Sequence, residues 1–100
     1  MQFDVENRYV LDLVQALVGA ITPNMREVGI RSSDPLILYF LLERESDEDR
    51  EEIDDIVFEF RALQDNPLID LTVDVIVSNK PLLIAMAQRP NRVVFSRKLL

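Results

Sequence analysis

Met25-Arg26-Glu27-Val28-Gly29-Ile30-Arg31, then Ser32-Ser33-Asp34-Pro35, then Leu36-Ile37-Leu38-Tyr39-Phe40-Leu41-Leu42, reads as two strands joined by a polar turn. This stretch decides the fold class, because turn-forming residues between two runs rich in β-branched, aromatic and aliphatic side chains close a hairpin. In the first strand Val28 and Ile30 share one face. The second strand, Leu36 to Leu42, is apolar on both faces.

Upstream of the hairpin, Val10, Leu13, Val14, Leu17, Val18 and Ile21 recur at three- and four-residue steps, the period of an amphipathic helix. That helix begins near Asp4 and stops before Thr22-Pro23-Asn24, where proline disfavours helical geometry in the preceding residue. Downstream, Ser46 offers a side-chain oxygen to the free amides of a second helix, whose first turn carries Asp47, Glu48 and Asp49 beside the positive end of its dipole. Ile53, Ile56, Val57, Phe60 and Leu63 form the inward stripe of this helix, and Asp65-Asn66-Pro67 ends it. Ile69, Leu71, Val73, Val75 and Val77 then alternate with Asp70, Thr72 and Asp74, the pattern of a strand with one wet face. After the break at Asn79-Lys80-Pro81, the segment Leu82 to Gln88 fits both a helical turn and a covering loop, and a last strand runs from Arg92 to Arg97.

The order αββαββ predicts an α+β two-layer sandwich: a four-stranded, mainly antiparallel sheet with two helices on one face. It is compatible with a ferredoxin-like arrangement whose first strand has moved to the end, and with two helix–hairpin units side by side. A chain of 100 residues supports one modest core, so residues 1–100 are read as a single domain. Cysteine is absent, which removes disulfides and thiolate metal sites and fits a reducing cytoplasm. The start lacks a basic leader, and the longest apolar runs are far short of a membrane span, so the expected location is cytoplasmic, with no membrane partner.

Charge narrows the function further. Residues Glu43 to Glu59 hold ten of the 18 acidic residues and two of the 11 basic ones, a formal −8 against +1 over the remaining 83 residues. Such a field repels phosphates, so nucleic acid is not an expected ligand, and it attracts cationic protein surfaces. Glu48, Asp49, Glu51, Glu52, Asp55 and Glu59 are the expected contact face for a basic partner, while Asp47 serves the first turn and the dipole. An ordinary solvated helix face has the same composition. What favours use is the cost of like charges four apart, such as Glu48 with Glu52 and Glu51 with Asp55.

A second surface comes from the doubly apolar strand. If Leu36, Leu38, Phe40 and Leu42 face the helices, then Ile37, Tyr39 and Leu41 point outward, either to a second copy of the chain or to a cover formed by Leu82 to Ala87. Catalysis finds little support. There is no histidine or cysteine, and the only glycines, Gly19 and Gly29, build no phosphate loop. Asp70 and Asp74 share a strand face but stand about 13 Å apart on an ideal strand, too far to hold one ion, and Asp47-Glu48-Asp49 lacks calcium-loop spacing. No metal or cofactor is expected. The C-terminal cations Arg89, Arg92, Arg97 and Lys98 read as protection of an edge strand.

Four stretches taken together carry a resemblance: Thr22-Pro23-Asn24-Met25-Arg26; Tyr39-Phe40-Leu41-Leu42-Glu43 running into Asp47-Glu48-Asp49-Arg50-Glu51-Glu52-Ile53; Val75-Ile76-Val77-Ser78; and Arg92-Val93-Val94-Phe95-Ser96-Arg97-Lys98. They resemble small acidic bacterial proteins of the colicin-type and contact-dependent toxin immunity group. The resemblance implies a toxin-like partner and no chemistry of the chain's own, and it transfers no site residues. The expected function is therefore a non-catalytic, immunity- or inhibitor-like binding module presenting an acidic helix to a basic partner. The alternative is a self-associating structural module, a possible homodimer through Ile37, Tyr39 and Leu41.

Overall fold

The hairpin forms where its residues place it, with strand β1 (Met25–Arg31) antiparallel to β2 (Leu36–Leu42) and Val28 opposite Phe40, Ile30 opposite Leu38. In the turn Ser33 donates its hydroxyl to the Pro35 carbonyl at 2.8 Å, and the Asp34–Pro35 peptide is cis. The computed structural model describes residues 2–82, 90 and 92–97. Helix α1 (Gln2–Leu17) precedes the hairpin; helix α2 (Asp47–Ala62), strand β3 (Leu71–Val77) and strand β4 (Arg92–Ser96) follow it.

The sheet order is β3-β2-β1-β4, and here the expectation of a mainly antiparallel sheet is corrected. Strands β2 and β3 run parallel, in register from Leu36 opposite Leu71 to Leu42 opposite Val77. The reason lies in the connection: α2 carries the chain back along β2, so β3 starts at the same end as β2, as a crossover through a helix requires. The sheet is mixed. Both arrangements compatible with the sequence place β3 beside β4, whereas these strands form the two opposite edges, with β4 antiparallel to β1.

One face of β2 supplies Leu36, Leu38, Phe40 and Leu42 to a core shared with Met25, Val28 and Ile30 of β1, Leu13, Ala16 and Leu17 of α1, and Ile53, Ile56 and Phe60 of α2. Tyr9 and Phe60 close the helix–helix contact, ring centroids 6.4 Å apart. Ile37, Tyr39 and Leu41 lie on the other face, but Tyr39 is only 4% exposed and Leu41 is fully buried, in a second cluster with Ile76 and Leu82. Of the two occupants considered for this stripe, the chain itself supplies a cover over Tyr39 and Leu41, while Ile37 is half-buried. Leu82 is part of that cover; the rest of the Leu82–Gln88 segment lies outside the described residues.

Helix α1 departs from its expected stripe. Leu13, Ala16 and Leu17 face inward with Tyr9 and Val10 beside them, whereas Val14, Val18 and Ile21 are exposed, Val18 by 78%. A helix laid on a sheet buries only the arc that faces it, and the apolar stripe here is wider than that arc. Val18 and Ile21 are also beyond the helix: it ends at Leu17, and Gly19 adopts φ +76°, the left-handed conformation that closes many helices.

Gly29 sits in the central strand β1 where Pro90 crosses it. A Cβ at this position would overlap Pro90 Cγ and approach the Arg92 carbonyl oxygen to 2.9 Å. Gly29→Ala is expected to lower stability by about 2 kcal/mol through overpacking, read as a fall in the thermal unfolding midpoint.

Candidate functional site

Helix α2 starts as its sequence specifies. Ser46 has extended geometry, φ −154° and ψ 118°, and its Oγ accepts the Asp49 N–H at 3.2 Å. Asp47 and Glu48 stay exposed in the first turn, against the positive end of the helix dipole. Glu45 and Arg50 form a two-pronged pair on the solvent side, Nε to Oε2 at 2.7 Å and Nη2 to Oε1 at 2.8 Å. This hydrogen bonding holds the Glu45 carboxyl below its ordinary pKa and raises that of Arg50.

Asp49 is corrected from the contact face. It is 7% exposed, and its Oδ2 accepts a hydrogen bond from Asn24 Nδ2 at 2.7 Å. The same Nδ2 donates to the Arg44 carbonyl at 2.7 Å, while Asn24 Oδ1 accepts the Arg44 N–H at 3.0 Å and the Asn24 carbonyl accepts the Glu43 N–H at 2.9 Å. Four contacts thus fasten the start of β1, the end of β2 and the first turn of α2 together. With Ser46 taking its backbone amide and Asn24 its carboxylate, Asp49 is a joint in the fold.

Of the other expected contact residues, Glu48, Glu51, Asp55 and Glu59 are exposed and Glu52 is half-buried. Among the described residues none of these five carboxylates is held by an ion pair. Several cations are engaged elsewhere: Arg97 with Glu43 at 2.8 Å, Arg92 with Glu6 at 3.1 Å, Arg8 with Asp65 at 3.2 Å. Arg61 turns back onto the Pro67 and Ile69 carbonyls. Arg89 and Lys98 of the C-terminal basic segment lie outside the described residues. Asp70, just before β3, and Thr72 and Asp74 within it stand exposed.

The residue missing from the expected face is Phe58, which is 75% exposed. At about 100° per residue it points away from the arc defined by Ile53, Ile56 and Phe60, so it crowns the outer ridge of α2. Exposed Glu51, Asp54 and Asp55 lie one to two turns before it on that ridge, and Glu59 lies beside it. A stripe traced through the apolar residues at helical spacing passes it by. The available signal was an aromatic residue off the stripe and among carboxylates.

Glu52, Asp55 and Glu59 also line a groove of about 250 Å³ against Gly19 and Ala20 at the end of α1. That helix has no basic residue in its last turn, so its negative end adds to the three carboxylates. The groove suits the ammonium or guanidinium tip of a side chain delivered from outside.

A family model described as MafI2 immunity protein matches residues 6–98 of the chain. No curated protein matches it. Among the described residues no helix is long and apolar enough to cross a membrane.

The Asn24–Asp49 joint makes a sharp expectation. Asn24→Ala leaves the Asp49 carboxylate buried without its donor and is expected to cost about 3 kcal/mol in urea unfolding, while Glu48→Ala on the exposed ridge changes stability by less than about 0.5 kcal/mol.

Proposed function

Because the chain belongs to the MafI2 immunity protein family, we propose that it neutralises a toxin by clasping a basic surface of that toxin with the outer ridge of α2. Phe58 enters an apolar recess of the partner, and Glu48, Glu51, Glu52, Asp55 and Glu59 meet cationic side chains around it. The observation that carries this reading is the 75% exposed aromatic ring standing among carboxylates that have no internal partner among the described residues. Interfaces draw most of their affinity from a few central aromatic or arginine anchors, with charged surroundings that steer encounter and set specificity. Burying Phe58 contributes roughly 2–3 kcal/mol, and the long-range field raises the association rate.

Such an inhibitor needs no catalytic group of its own. The cysteine-free composition suits work in the cytoplasm. The second surface considered from the sequence, Ile37 with Tyr39 and Leu41, has little area to offer another copy, since Tyr39 and Leu41 are buried in the chain itself. Of these two surfaces the acidic ridge is the more open one among the described residues.

Titration of the purified toxin tests the proposal. Phe58→Ala is expected to leave the unfolding midpoint unchanged and to weaken binding about 30-fold, the equivalent of about 2 kcal/mol. Glu51→Gln with Asp55→Gln is expected to slow association and flatten its dependence on salt. Wild-type affinity in Phe58→Ala would remove the ridge as the contact surface.

A further inference from the structure

Arg26 occupies an unusual position in β1. Met25 pairs with Leu42 and Glu27 with Leu41, so Arg26 is the extra residue of a β-bulge, a device that re-aims one side chain out of the ladder. Its carbonyl accepts the Arg97 N–H at 2.9 Å, and its guanidinium donates through Nη1 to the Ser78 carbonyl at 2.6 Å. The residue is only 6% exposed, yet among the described residues no carboxylate lies within ion-pair distance of it. A guanidinium has five N–H donors, and a buried charge is ordinarily paired.

The side chain lines a pocket of about 400 Å³ with Glu43, Asn79, Pro81 and Arg97. Arg97 is partly engaged, with Nη2 on Glu43 Oε1 at 2.8 Å and Nη1 on the Pro23 carbonyl at 2.7 Å. Among the described lining residues two guanidinium groups stand against one carboxylate, a formal charge of +1, matched by a monoanion rather than a dianion. The planar fork of an arginine fits the two oxygens of a carboxylate. The pocket also opens beyond the carboxyl ends of β2 and β3, the parallel pair, a placement where sheets with parallel strands commonly bind ligands.

We propose that this pocket binds a small monocarboxylate, held by the bulged Arg26 with Arg97 at its flank. The site uses none of the residues assigned to the toxin, so it stands or falls separately from the α2 ridge. The hydrogen bond from Nη1 to the Ser78 carbonyl already holds the guanidinium in place, so the ligand meets a partly ordered donor through the remaining N–H groups.

The test is nitrogen-edited NMR of the arginine Nε–Hε groups of the full chain, titrated with acetate, inorganic phosphate or chloride at matched ionic strength. The expected result is a saturable shift of the Arg26 resonance with acetate at millimolar concentration, at least ten times tighter than with chloride and tighter than with phosphate at neutral pH. In Arg26→Gln the acetate response of Arg97 should vanish while the amide spectrum stays dispersed. Should that variant unfold, Arg26→Lys keeps the charge without the fork and is expected to weaken acetate binding at least fivefold. An Arg26 shift no larger with acetate than with chloride would overturn the proposal. So would tighter binding of phosphate, or an Arg97 response that survives unchanged in either variant.

Discussion

The hydrogen bond between the Asn24 carboxamide and the Asp49 carboxylate is the constraint on which the arrangement of this molecule depends. Asp49 brings a charge into a place with little solvent, and that is tolerable only because a donor meets it at 2.7 Å and the helix dipole favours it. Asn24 in turn reaches the backbone of Glu43 and Arg44 as β2 ends. Sheet and helix are thereby locked at one corner, and the tilt of α2 follows from that corner and from Ile53, Ile56 and Phe60 in the core. The direction in which the outer ridge points is a consequence of a contact buried beneath it.

A division of labour among charges follows. Arginines at positions 8, 50, 92 and 97 are engaged with Asp65, Glu45, Glu6 and Glu43; Arg50 is the one of these four that stands on α2, and its partner Glu45 precedes the helix. Among the described residues the carboxylates pointing outward on α2 take part in no ion pair. Mutual repulsion along that ridge opposes folding, and the dipole offsets it only in the first turn, so the core beneath α2 has to hold the helix against its own field. Exposed Phe58 is equally unhelpful to folding, since its ring gains nothing in the unbound chain. Under the proposed function both costs have a common explanation in a partner.

What could be read beforehand and what could not divides along the range of the forces involved. The hairpin, the Ser46 cap and the inward placement of Ile53, Ile56 and Phe60 rest on spacing within a few residues, and the sequence displays them. The parallel pairing of β2 with β3 rests on where α2 delivers the chain, which no local pattern records. In α1 the sequence shows one wide stripe through Leu13, Val14, Leu17 and Val18, and only the neighbouring surface decides that Leu13 and Leu17 are its buried part. Asp49 looked like its acidic neighbours because inward rotation of a single carboxylate depends on Asn24, twenty-five residues earlier. The bulge at Arg26 depends on a one-residue mismatch between partner strands.

The position of β4 also bears on how the chain assembles. Its residues pair with β1 partners about sixty to seventy places earlier, as in Val28 with Phe95, so closing that ladder carries the largest loop-entropy cost in the sheet. Everything that orients the α2 ridge, from Asn24 through the crossover to β3, is translated before that strand. A nascent chain whose β4 segment is still in the ribosome tunnel therefore already contains the segments of its proposed contact surface, and completion of the far edge comes afterwards.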